Sequence, residues 1–173
     1  VGPLRRVRGG APLEVRSLLG EDRAGRVPLG VESLGEEGVA APAERGIEDV
    51  RAVESDLSHA GADADTPLWV MLETPSAIWQ AVPIAAASQR VTVLVMGTND
   101  LAMELRAERF AGRQPLLFAL SACVAAARCA GKEILDGVFN DIHDAQGLQE
   151  ECRQARQLGF DGKTLIHPSQ IDD

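Results

Sequence analysis

The chain has 173 residues, enough for one domain with its own core, and its 45% hydrophobic and 25% charged residues are the balance of a globular protein. A net charge of −9 excludes a nucleic-acid binder built on a basic stripe and fits a cytoplasmic surface. No apolar run is long enough to span a membrane, and the arginine-bearing start at Val1–Gly10 has no apolar stretch behind it, so it does not read as a secretory signal.

Residues 1–46 are rich in Gly, Arg, Glu and Pro, and their short apolar pieces keep no period. This composition predicts a poorly structured or atypical N-terminal segment without the buried apolar runs that a set of parallel strands needs, with the folded domain over 47–173. Glu48–Ala60 places Val50, Val53 and Leu57 three and four residues apart, one face of a helix. Leu68–Leu72 is a buried strand running into Glu73-Thr-Pro75. Ser76–Ser88 reads as an Ala-rich helix capped by Ser76, with Pro83 against its continuity. Val91–Met96, β-branched and uncharged, is the clearest strand, and it ends in a Gly97-Thr-Asn-Asp100 loop.

Pro115–Ala130 predicts a long helix closed by Gly131. Ile134–Phe139 is a third strand, Asp144–Leu158 a helix stopped by Gly159, and Lys163–Ile166 a fourth strand entering His167-Pro168. Both-face-apolar strands alternating with helices imply a parallel α/β sheet with helical crossovers. Cys123, Cys129 and Cys152 show no metal-ligand spacing and read as reduced thiols on helices.

Polar residues gather after the strands at Glu73, Asp100, Asp141 and His167, the edge where parallel α/β folds bind ligands. Glu73 and Asp100 each follow an apolar strand directly. Since neighbouring strands lie about 5 Å apart, their carboxylates can converge on a Mg²⁺ that keeps several waters. The competing reading makes both of them stabilising charges at helix N-termini. Asp136 reads as structural, Asn140 and Asp141 as ties across the strand ends, Lys163 as solvent-exposed and His167 as a loop anchor. Acyl-hydrolase and phosphate-loop motifs are absent, and the scattered His59, His143 and His167 do not suit zinc.

Four segments in order carry a resemblance: Met71-Leu-Glu-Thr-Pro75, Val95-Met-Gly-Thr-Asn-Asp-Leu-Ala102, Asp136-Gly-Val-Phe-Asn-Asp141 and Gly159-Phe-Asp-Gly-Lys-Thr-Leu-Ile-His-Pro-Ser-Gln-Ile171. Over residues 48–171 the chain resembles the HpcH/HpaI aldolase, or citrate lyase beta-subunit-like, family. That resemblance implies a TIM-type (β/α)8 barrel, here a partial one, and a Mg²⁺-dependent carbon–carbon lyase, with Mn²⁺ as a substitute. The implied substrates are an acyl-CoA thioester and a 2-oxo acid, in citryl-CoA or malyl-CoA type cleavage by a cytoplasmic homo-oligomer. By the same resemblance Glu73 and Asp100 are the metal ligands, and Gly97, Thr98 and Asn99 bind the substrate carboxylate.

The departures are as informative. The family's early arginine-bearing strands have no counterpart here, Pro42-Ala-Glu-Arg-Gly46 stands where a strand before Glu48 is expected, and Val31-Glu-Ser33 is at most a displaced remnant of it. The family also continues past Pro-Ser-Gln-Ile171 into a segment with a proton-transferring aspartate. These departures imply no certain catalytic residue in the chain and little activity for it alone. A pyruvate-type class II aldolase and a non-catalytic remnant subunit are the rival readings.

Overall fold

Strands that are apolar on both faces can be stable only between two covered layers, and this requirement organises the chain. The computed structural model describes residues 32–33, 39–43, 46–108 and 112–171. Six strands form one sheet in chain order: β1 (Glu32–Ser33), β2 (Val39–Pro42), β3 (Leu68–Leu72), β4 (Val91–Met96), β5 (Glu133–Asp136) and β6 (Gly162–Lys163). The pairs from β2 to β6 are parallel, whereas β1 runs antiparallel to β2. Crossovers are made by α1 (Ile47–His59), α2 (Pro75–Trp79), α3 (Ala81–Ala85), α4 (Thr98–Glu104), α5 (Leu117–Ala130) and α6 (Ala145–Leu158).

Sequential strand order without a reversal is the winding of a (β/α)8 barrel, since doubly wound sheets reverse direction at a switch point. Layering agrees. Leu68, Val70, Leu72, Leu94, Met96 and Ile134 pack with the helices in the main core. Trp69, Val93, Val95 and Leu135 form a separate cluster on the opposite face. In a barrel the first set lies under the helices and the second faces the interior. The α/β fold and its partial-barrel character are as expected from the sequence.

One irregularity sets the alternation in β4. Leu68 pairs with Val91 but Trp69 pairs with Val93, so Thr92 is an extra, exposed residue. The bulge puts Val91 on the helix side together with Leu94 and Met96.

Several expected boundaries move. β2 belongs to the sheet in register, Val39 opposite Leu68 and Pro42 opposite Met71, so the folded domain begins before residue 47 and the N-terminal segment does contribute a parallel strand. Four residues sufficed, a run too short to show a period. Glu32 and Ser33, within the remnant named above, form β1. The rest of the expectation for residues 1–46 falls, apart from Ala43 and Gly46, outside the described residues.

The helix expected over Ser76–Ser88 is two short helices meeting at Gln80, and its cap is Thr74, whose Oγ1 accepts from the Ala77 amide, with Pro75 at the first helical position. Residues 98–100, expected as loop, already belong to α4. β5 stops at Asp136 and β6 at Lys163, both short of expectation, because the chain turns to form the contacts described next. Gly131 and Gly159 end their helices in left-handed conformation as expected.

The end of β5 is held by a buried set of charges. Asp136 is fully buried; its Oδ1 lies 2.7 Å from Arg113 Nη1 and its Oδ2 3.0 Å from Lys163 Nζ. Lys163 Nζ also donates to Glu151 Oε1 and to the Gly137 carbonyl, each at 2.5 Å. Arg113 Nε donates to Gln154 Oε1 at 2.9 Å. Lys163, expected in solvent, is therefore buried between two carboxylates. Arg113 adopts φ 50°, ψ 34°, a left-handed conformation uncommon outside glycine that the surrounding contacts must stabilise.

Removing one partner of a buried ion pair leaves uncompensated charge, so Asp136→Ala should lower stability by about 3–5 kcal/mol in urea denaturation. Arg128→Ala, which breaks a half-exposed pair with Asp161, should cost about 1 kcal/mol or less. The thiols give a second check. Cys123 is buried in the core and its pKa is pushed up to about 12 by burial, whereas Cys129 is exposed. A thiol reagent at pH 8 should label Cys129 quickly and Cys123 only on unfolding. Because the folded thiol ionises later than the unfolded one, its contribution is whole below pH 9.0 and falls as pH rises toward about 12.

Candidate metal and substrate site

The parallel pairing of β3 with β4 ends at Leu72 opposite Met96, and the next amide, Gly97 N–H, donates to the Leu72 carbonyl at 3.0 Å. The two chains therefore leave the sheet side by side, Glu73 from one and Gly97 from the other. A Cβ at Gly97 would stand 2.4 Å from Glu73 Cβ and 2.8 Å from Glu73 Oε2. Only glycine admits the glutamate at that closeness. Gly97 then caps α4, and Asp100 lies in its first turn.

Glu73 is half-buried and Asp100 exposed at the same edge of the sheet. Glu73 is not the cap of α2, a role Thr74 takes; Asp100 does occupy the helix-start position that the competing reading gave it. Among the described residues no group of three or more His, Cys, Asp or Glu is placed to hold a metal. Two carboxylates with the rest of the coordination sphere left to water and ligand are the donor set that suits Mg²⁺ and not a closed zinc site. Gly97, having no side chain, lets Glu73 pack directly against the turn that leads into α4 and Asp100, an approach compatible with such a group.

Asp100 also lines a cleft of about 200 Å³ with Trp69, Met71 and Val95 from the inner face of the sheet and Ile166 at its rim. Gly97, Thr98 and Asn99 border the same cleft. They differ in what they can offer. The Gly97 amide is committed to Leu72, so Gly97 contributes close approach and no donor to a ligand. Thr98 and Asn99 occupy the first turn of α4, where backbone N–H groups have no partner within the helix. Of the three residues expected at the substrate carboxylate, Gly97 thus has its amide bonded within the fold, and Thr98 and Asn99 have theirs at the open helix start. The competing carbonyl of Leu72 lies on a neighbouring strand, out of sight of any local motif.

The loop after β5 closes the site from the other side. The side-chain amides of Asn99 and Asn140 bond reciprocally, at 3.1 Å and 2.7 Å, which is the tie across strand ends expected of Asn140. Asp141 instead turns its own loop, accepting from the His143 amide at 3.0 Å. His167 anchors a loop as expected, its Nδ1 accepting from the Ser169 amide at 3.2 Å. Sequence reasoning missed Arg113 altogether. Gly112-Arg113 carries no motif, and its importance comes from reaching Asp136 across 23 positions.

Comparison with known proteins identifies the family and the fold. Residues 14–168 match the HpcH/HpaI aldolase/citrate lyase family. A (3S)-malyl-CoA thioesterase of Cereibacter sphaeroides is 49% identical over 108 residues, covering 62% of this chain and 38% of that protein. Citrate lyase subunit beta of Escherichia coli is 42% identical over 107 residues, 62% of this chain and 35% of that subunit. The chain thus spans well under half the length of these relatives. Among solved structures, a Mycobacterium tuberculosis citrate lyase beta subunit complexed with oxaloacetate and magnesium superposes with a TM-score of 0.64 at 31% identity, over 77% of this chain and 57% of that one. The family match starts well before Glu48 and so takes in β1 and β2, which the sequence motifs had left out. The chain belongs to the HpcH/HpaI aldolase/citrate lyase family.

Proposed function

We propose that this chain carries the metal-binding part of a Mg²⁺-dependent carbon–carbon lyase acting on a CoA thioester of the malyl-CoA or citryl-CoA type. The observation that carries the reading is the junction at Gly97, which brings Glu73 against the start of the helix bearing Asp100. Glu73 and Asp100 hold the metal, with Mn²⁺ able to substitute, and the Thr98 and Asn99 amides donate to the carboxylate of the 2-oxo acid. The magnesium and oxaloacetate of the Mycobacterium tuberculosis relative support both halves of this assignment. A cytoplasmic homo-oligomer is part of the same proposal and rests on the family.

A bound Mg²⁺ supplies Lewis acidity toward the oxo-acid oxygens. The chain's own residues orient and shield. First-turn amides of α4 present fixed partial positive charge to an anionic carboxylate without reorganising. The apolar wall of Trp69, Met71 and Val95 keeps water from that side of the cleft. No residue is assigned the proton transfer that carbon–carbon cleavage also needs.

A thioesterase is the second reading, favoured by the 49% identity to the malyl-CoA thioesterase. The two differ in the bond broken. Lyase action splits malyl-CoA into acetyl-CoA and glyoxylate with the thioester kept; hydrolysis adds water across the thioester and releases malate and the CoA thiol.

Binding should come first in the test. Titrating the chain with Mn²⁺ and following the free ion by electron paramagnetic resonance should show one site, weakened at least about tenfold by Asp100→Asn or Glu73→Ala, the scale on which ligand-sphere changes act. A loss no larger than that of the folded fraction of Asp136→Asn would refute the ligand assignment. Turnover of malyl-CoA and citryl-CoA by the chain alone should stay below about 1 s⁻¹, the low end of usual enzyme rates. Metal-dependent formation of oxo acid, lost in Glu73→Ala, would support the lyase; release of thiol beyond the protein's own cysteines would favour the thioesterase.

A further inference from the structure

The metal-bearing turn does not stand on β4 alone. Gly137, the first residue after β5, is buried against Thr98. A Cβ there would lie 2.4 Å from Thr98 Oγ1, 2.7 Å from Thr98 Cγ2 and 2.8 Å from the Met96 carbonyl oxygen. Three residues on, Asn140 holds the Asn99 side-chain amide by two hydrogen bonds. The β5 loop therefore touches both residues that immediately precede Asp100. That loop is itself fixed, since the Gly137 carbonyl accepts from Lys163 and the neighbouring Asp136 lies in the buried charge set.

We propose that Gly137 and Asn140 are positioning residues for the metal site. Gly137 sets how closely the first turn of α4 approaches β5, and Asn140 sets its rotation, so together they determine where the Asp100 carboxylate stands relative to Glu73. The proposal rests on the metal reading above and goes beyond it, because neither residue is among the ligands. A methyl group at Gly137 has no free space. It must push against the Met96 carbonyl, which belongs to the sheet, or displace Thr98, which begins the turn. The turn is the softer of the two, and Asp100 moves with it.

The test uses the full chain and Mn²⁺ alone, with the free ion read by electron paramagnetic resonance and the thermal transition followed in parallel. Gly137→Ala should weaken Mn²⁺ binding about 10–100-fold, the range found when groups behind a metal ligand are disturbed. Asn140→Ala, at an exposed amide pair, should weaken it by a smaller factor with little change in melting temperature. The double variant Gly137→Ala/Thr98→Ala removes the two closest side-chain atoms and should recover a large part of the loss relative to Thr98→Ala, which a general loss of stability would not do.

Outcomes separate the two readings. If the parent chain binds Mn²⁺, loses it in Asp100→Asn, and yet binds equally well in Gly137→Ala and Asn140→Ala, the positioning role is overturned and the metal site stands. If the parent chain fails to bind Mn²⁺, or binds it regardless of Asp100, both are overturned. Should Gly137→Ala fail to fold, Asn140→Ala decides alone, and unchanged affinity there overturns the proposal.

Discussion

The parallel pairing of β3 with β4 is the constraint on which the site depends. Their ladder reaches Leu72 and Met96 and gains one more bond from the Gly97 amide, so two chains leave the sheet at the same level and in the same direction. Any side chain at Gly97 would force them apart. The burial that secures this register comes from both faces. Leu68, Val70, Leu72, Leu94 and Met96 lie under the helices, and Trp69, Val93 and Val95 cluster opposite. A slip of one residue would exchange these sets and turn every side chain over.

Much of this was legible because the informative signals are local. Val91–Met96 is apolar throughout, Leu68–Leu72 likewise, and each is followed at once by polar residues, so both strands and the edge that carries chemistry could be read directly. A shared ligand role for Glu73 and Asp100, the reading proposed above, was not legible from spacing. Carboxylates beginning helices look the same, and Asp100 does begin one. Only the ordered motifs favoured the ligand reading over the other.

The remainder was hidden by distance. The Gly97 amide is consumed by a carbonyl on another strand, Lys163 is drawn inside by Asp136 and Glu151, and Arg113 has no local pattern. β2 escaped notice for another reason. Its Val-Ala-Ala-Pro is too short and too weakly apolar to announce a strand, and it is one because β3 offers an unpaired edge. In each case the partner, and not the residue, decides the role.

The extra residue at Thr92 has a meaning beyond the geometry of one strand. It separates the entrance of β4, where Val91 faces the helices, from the exit, where Val95 and Met96 lead to Gly97. A bulge of this kind lets the two ends of a strand answer to different neighbours. Changes of length in the turn between α3 and β4 can be taken up at the bulge without rotating the exit. The register at the entrance of β4 is thereby set apart from the register at its exit, where the strand hands over to Gly97.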